Sequence, residues 1–115
     1  MIHSSIRMSI SPKKRTEALK ILRMAAEHCK IQPECLSCNI YEDLDVKNII
    51  LLTAKWLCGE DFEQYLRSKE YRNVLLVMEM AENEPEIQFD EVSRSTGIET
   101  VEKARRYNRI QNGSD

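Results

Sequence analysis

Apolar and polar positions alternate at once along the chain. Ile2, Ser4, Ile6, Met8 and Ile10 fall on one side, and His3, Ser5, Arg7 and Ser9 on the other, which is the period of a strand. Ser11-Pro12 follows, a helix-capping residue with proline at the first helical position. Ala18, Leu19, Leu22, Ala25, Ala26 and Cys29 then recur at helical spacing, until the stretch around Pro33 breaks the pattern. Residues 35–41 and 48–57 read as two strands joined by the acidic turn Glu42-Asp43-Leu44-Asp45, a hairpin. Gly59 is expected to end the second of them. Phe62, Tyr65 and Leu66 mark a short helix, and Ser68 is placed to cap another that carries Tyr71, Val74, Leu75 and Met78. Pro85 is expected to close that helix before a last strand over residues 86–93, with Ile87 and Phe89 on one face. The order predicts an α+β chain of the ferredoxin-like βαββαβ type, an antiparallel sheet with helices on one face.

The third strand has two apolar sides. Ile49, Leu51 and Thr53 lie on one, and Ile50, Leu52, Ala54 and Trp56 on the other. The chain's own helices can cover only one face, so this predicts a homodimer with sheets packed face to face or sharing an edge. Residues 1–95 form the expected domain and 96–115 an extension. In the extension Thr96 and Glu99 have capping-box spacing, and Ile98, Val101, Ala104 and Tyr107 follow at steps of three. That predicts a short helix that could reach a partner, then a disordered end at Asn112-Gly113-Ser114-Asp115.

Composition narrows the class. With 115 residues there is room for one core. The formal charge of −2 argues against a nucleic-acid partner, which needs a basic face. The longest wholly apolar run, Ile49-Ile50-Leu51-Leu52, is far short of the roughly 20 residues of a membrane span. The opening residues lack a secretory pattern, so a soluble cytoplasmic protein with reduced thiols is expected. Cys35 and Cys38 form one C-x-x-C, but side chains three apart in a strand point to opposite faces. That spacing disfavours chelation and redox pairing, and small buried core residues are the expectation. Lys13-Lys14-Arg15 reads as a solvated helix start.

The run Pro33-Glu34-Cys35-Leu36-Ser37-Cys38-Asn39-Ile40-Tyr41-Glu42-Asp43 resembles the second-strand signature of antibiotic biosynthesis monooxygenase (ABM) domains. So do Leu51-Leu52-Thr53-Ala54-Lys55-Trp56, Phe62, Tyr65-Leu66-Arg67-Ser68 and Tyr71. The resemblance spans residues 2–92 and implies a dimeric α+β barrel. Members of that family include cofactor-independent oxygenases of polycyclic phenols and quinols and haem-degrading enzymes. Many carry glycine at the position of Glu34 and histidines at those of Tyr65 and Glu70. Haem-degrading relatives place tryptophan at the position of Tyr65, an iron-binding histidine at that of Leu75, and a first-strand asparagine near Ile6 and Arg7. Leucine cannot ligate iron, so the resemblance does not extend to haem degradation.

A pocket is expected between sheet and helices, lined by Tyr65, Tyr71, Trp56 and Asn39. Tyr65 and Asn39 are the candidate catalytic residues, and Trp56, Tyr71 and Arg7 the candidate substrate contacts. Cofactor-free oxygenation needs an apolar cavity, a hydrogen-bonding group at the phenol and a base. Tyr65 can bond a phenolate but is a poor base near pKa 10. Asn39 is an amide in mid-strand that must be satisfied or wet. Trp56 and Tyr65 also suit plain core packing, and Arg7 suits an ion pair with a carboxylate such as Glu42. His28, near the end of the first helix, reads as a capping cation. The expectation is an oxygenase of a small aromatic phenol or quinol, using no metal and no flavin. The alternative is a non-catalytic module of the same fold that binds a hydrophobic small molecule. A metal protein using Cys35, Cys38 and another cysteine ranks third.

Overall fold

The computed structural model describes residues 1–111, with side chains to residue 106. Its elements run β1 (Ile2–Ser9), α1 (Pro12–Lys30), β2 (Cys35–Glu42), β3 (Ile49–Trp56), α2 (Gly59–Leu66), α3 (Arg72–Met80), β4 (Glu86–Glu91) and α4 (Ile98–Gln111). The strands form one antiparallel sheet in the order β2-β3-β1-β4, the ferredoxin-like arrangement. Helices α1 and α3 pack on each other over one face, so the sheet's other face is open. The described residues contain no helix long and apolar enough to cross a membrane.

The core forms where the sequence stripes meet. Ile6 and Met8 of β1, Ile50, Leu52 and Trp56 of β3, Ala18, Leu22 and Cys29 of α1, and Val74 and Val77 of α3 are all buried in one cluster. On α3 the stripe runs Tyr71, Val74, Val77. Leu75, counted on that stripe from its spacing, is 44% exposed, because the helix presents the Val74–Val77 line to α1.

Several local expectations are corrected. Gly59 opens α2 instead of ending β3: Cys58 is extended, and its carbonyl accepts from the Phe62 N–H. Glu60 and Asp61 in the first turn suit the positive end of the helix dipole. Ser11 caps α1 with its backbone alone, its carbonyl accepting from the Lys14 N–H at 3.0 Å. Asn48, placed in the strand by its neighbours, takes a left-handed φ of 65° that asparagine tolerates and that turns the hairpin. Helix α3 stops at Met80, well before Pro85. Arg7 pairs with Asp43 at 3.6 Å and Glu86 at 3.9 Å, while Glu42 pairs with Arg15 of the basic triplet.

The register also corrects the reading of Cys35 and Cys38. Cys35 lies opposite Trp56 and Ser37 opposite Lys55, so Leu36 is an extra residue in the strand. This bulge swaps the alternation once. Cys35 and Cys38 therefore both turn toward α1, where the Cys35 sulfur lies 3.3 Å from that of Cys29.

The open face is less apolar than β3 alone suggests. Leu51 stands in a row with Tyr41, Arg7 and Glu86, and Thr53 in a row with Asn39, Ser5 and Gln88. Exposed apolar groups gather instead on the edge strand β4, at Ile87 and Phe89, and on α4, at Ile98 and Val101. Helix α4 leaves the domain: its described side chains are all exposed, and the radius of gyration is 18.3 Å. A compact chain of this length would have about 13 Å. Glu99 accepts from the Gly97 N–H at 2.8 Å, one residue later than the Thr96 capping box implies. The disorder expected over residues 112–115, and the side chain of Tyr107, lie outside the described residues.

Candidate functional site

A cleft of about 540 Å³ opens at one end of the sheet, between the last turn of α1, the 31–34 connection, the end of β3 and the outer side of α2. Its position follows from chain geometry. Trp56 is the last residue of β3, and α2 starts after a short link, so the indole is trapped under the helix. Its ring stacks on Tyr65 with centroids 4.9 Å apart, and Phe62 stands at 6.3 Å. Tyr71 closes edge-on against Tyr65 at 5.3 Å. Ser68 fixes the turn between α2 and α3, donating to the Tyr65 carbonyl at 2.6 Å and accepting from the Tyr71 N–H at 3.3 Å.

Two of the sequence candidates, Trp56 and Tyr65, line this cleft. Tyr71 is buried behind Tyr65 and shapes its position. Asn39 lies elsewhere, at a shallow depression of about 250 Å³ with Arg23 and Lys30 of α1. Arg7 is on the open face in its two ion pairs.

The cleft's polar groups come mainly from residues the sequence reading set aside. His28, in the last turn of α1, faces Glu70 from the α2–α3 link, with Nε2 3.8 Å from Oε2. The Gln32 amide nitrogen lies 3.3 Å from the same Nε2. An amide nitrogen only donates, so with the ring proton on Nδ1 the Nε2 lone pair accepts from it, and the same amide donates to the His28 carbonyl at 3.5 Å. Glu34 and Asp61 add two more carboxylates to the wall. One helical turn separates His28 from Gln32, which was visible in the sequence. Its pairing with Glu70 was not, since only the packing of α3's approach against α1 brings them together.

Half-buried Tyr65 and buried Trp56 give the site its chemistry. Burial pushes the Tyr65 hydroxyl well above the ordinary tyrosine range, and the neighbouring Cys29 and Cys38 add to this. Tyr65 is therefore a hydrogen-bond donor and not a base. Trp56 is 2% exposed, and its Nε1 is the one buried side-chain nitrogen or oxygen without a hydrogen-bond partner among the described residues. Leaving such a donor unpaired costs about 1–3 kcal/mol. An acceptor oxygen on a ligand would recover that cost. No group of three or more histidine, cysteine or acidic side chains is placed to hold a metal ion among the described residues.

Solved structures share this architecture. A conserved protein from Methanosarcina mazei is 20% identical, with 78% of this chain and 90% of that one covered and a TM-score of 0.73. An antibiotic biosynthesis monooxygenase matches at 15% identity over 82% and 100% of the two chains, with a TM-score of 0.72. SnoaB, a cofactor-independent oxygenase from Streptomyces nogalater, matches at 13% identity over 82% and 94%, with a TM-score of 0.69. At these identities the likeness is one of fold. No curated protein sequence matches the chain. The sequence model of the antibiotic biosynthesis monooxygenases matches residues 1–75, well over half of the chain, and the protein belongs to that family.

Proposed function

We propose that the protein is a cofactor-independent oxygenase of a small aromatic phenol or quinol, working as a homodimer. The observation that carries this reading is a cleft lined by Trp56, whose buried N–H has no partner among the described residues, and by the His28–Glu70 pair. A phenol can use both features. Its O–H takes the place of the Gln32 amide and donates to His28 Nε2, and its oxygen, once the proton leaves, accepts from a fixed donor. Glu34, Asp61 and Glu70 make the cleft acidic, which favours a neutral ligand rich in O–H groups over an anion.

In this reading His28 is the general base and Glu70 stabilises the imidazolium that forms. Trp56 Nε1 and the Tyr65 hydroxyl hold the phenolate oxygen. The electron-rich ring then reacts with dioxygen directly. For a quinol, one oxygen atom enters the ring and the other leaves as water, giving a hydroxyquinone. Asn39 and Arg7, proposed from the sequence as catalytic and substrate-binding, stand outside the cleft and have no part in this scheme. Tyr71 acts by holding Tyr65.

The test is oxygen uptake with a panel of hydroquinones and anthrones, using the wild type, His28→Gln, Tyr65→Phe and Asn39→Ala. Uptake that falls in the first two variants and persists in the third supports the reading. Thermal stabilisation by these compounds without oxygen uptake would replace it with the binding-module alternative.

A further inference from the structure

Three of the chain's thiols converge beside the cleft for a reason the proposed oxygenation does not need. Cys29 lies in the last turn of α1, and Cys35 opens β2. The extra residue Leu36 turns Cys35 inward and keeps Cys38 on the same side. A bulge gives up regular ladder pairing to re-aim a side chain, and here the re-aimed side chain is a thiol facing a thiol. The Cys29 and Cys35 sulfurs are 3.3 Å apart, with nothing between them. Closing that gap to the roughly 2 Å of a disulfide takes a small movement at the end of a helix that already meets a loop. The three sulfurs differ in access: Cys29 and Cys38 are buried, and Cys35 is partly open to solvent.

We propose that Cys29 and Cys35 are a redox site, a dithiol that hydrogen peroxide or an organic hydroperoxide oxidises to an intramolecular disulfide. The thiolate of Cys35 attacks one peroxide oxygen, the O–O bond breaks, and a sulfenic acid forms as hydroxide or alkoxide leaves and takes up the proton that the thiol had given to solvent. The Cys29 sulfur then attacks the Cys35 sulfur, the S–O bond breaks, and water departs. Two thiols lose two electrons and two protons in all, and the peroxide is reduced by the same two electrons. Burial pushes the Cys35 thiol up, so the reaction runs faster in mildly alkaline solution. Cys38 is buried beside them, and the neighbouring Cys29 thiol holds its pKa below the ordinary cysteine value. The new bond would staple the end of α1 to the start of β2 across Gln32, Pro33 and Glu34, which form one wall of the cleft.

The test treats the full-length protein with hydrogen peroxide, blocks residual thiols, and maps peptides without reduction, for the wild type and for Cys35→Ser. The expected result is a loss of two hydrogen masses, a Cys29–Cys35 cross-linked peptide that dithiothreitol reverses, and alkylated Cys38 and Cys58. In Cys35→Ser the cross-link disappears. Full alkylation of Cys29 and Cys35 after treatment would overturn the proposal. So would oxidation of Cys35 to the sulfinic acid without cross-linking, or a disulfide formed only through Cys38 or Cys58. The oxygenase reading stands or falls separately, since none of these outcomes involves its substrate.

Discussion

His28 Nε2 lies 3.3 Å from the Gln32 amide nitrogen and 3.8 Å from Glu70 Oε2, so a basic lone pair and the carboxylate that would stabilise its protonated form meet at one atom. A general base contributes about 10²–10⁴ in rate. Oxygen uptake by His28→Gln should therefore fall about 100-fold or more, while Glu70→Gln, which leaves the imidazole in place, should fall less. Steady-state rates on the best compound of the panel check this. Equal rates in wild type and His28→Gln would remove His28 as the base.

Trp56→Phe separates binding from packing. The phenyl ring keeps most of the stacking on Tyr65 and removes an N–H that has no partner. In the free protein, relief of the unpaired donor offsets the space left by the smaller ring, and the melting temperature should change little. Ligand affinity should drop about 3- to 10-fold, the worth of one hydrogen bond. Calorimetric titration and melting of the same samples decide it. A large loss of stability with unchanged affinity would make Trp56 a packing residue only.

The strands, the first helix and the hairpin were legible because burial imposes a period on each. Ile6 and Met8 of β1, and Leu22 of α1, had to be inside wherever the rest of the chain went. The site was only half legible. Trp56 and Tyr65 stand out as aromatics at element ends, but His28 and Glu70 are polar residues whose meaning lies in their distance, and distance across a fold leaves no periodic trace. Cys35 was misread because a single extra residue, Leu36, inverts every later side chain of the strand, and a bulge carries no fixed sequence mark. Leu75 misled in the opposite way. It has the right spacing for the core but faces out, because Val77 takes the place that its side chain would fill.

Leu22 tests the core directly. It is fully buried where α1 meets the sheet. Leu22→Ala should cost about 2–5 kcal/mol, the usual range for a leucine cavity. Urea unfolding of both proteins measures it, and a loss below 1 kcal/mol would show that the helix–sheet contact is looser than described.

Asp43 gives the acid limb of stability a definite sign. Its carboxylate accepts from the Asp45 and Val46 N–H groups at 2.8 and 3.0 Å, which lowers its pKa, and Arg7 lowers it further. A depressed folded value means that the contribution is present above the ordinary aspartate range, about 4, and lost as pH falls through the folded value. Asp43→Asn keeps a carbonyl acceptor for the turn but has no charge to titrate. Wild type should be the more stable protein at neutral pH, with the difference closing in acid. A gap of equal size at both ends of a melting-temperature profile would show that the charge is irrelevant.

Helix α4 is the cleanest place to test the homodimer. Ile98 and Val101 are three residues apart and so share a face of the helix, and both are at least half exposed. They hold no part of the described core, so changing them does not threaten the fold. The edge strand β4 adds Ile87 and Phe89, both about half exposed, with Phe89 edge-on to Phe62 of α2. A second copy that covers these groups would bury apolar surface at two places on each protomer. Placing Glu at both 98 and 101 would then set charges into that contact, raising the dimer dissociation constant by about 30-fold or more if the pair is central to it. Sedimentation velocity over a range of concentrations, with circular dichroism as the control for folding, reads the result. A dimer in wild type and a folded monomer in the double variant would assign the contact to α4. A dimer that survives the substitutions would move the interface to the edge of β4 or the open face, and a wild-type monomer would remove the homodimer from the proposed function.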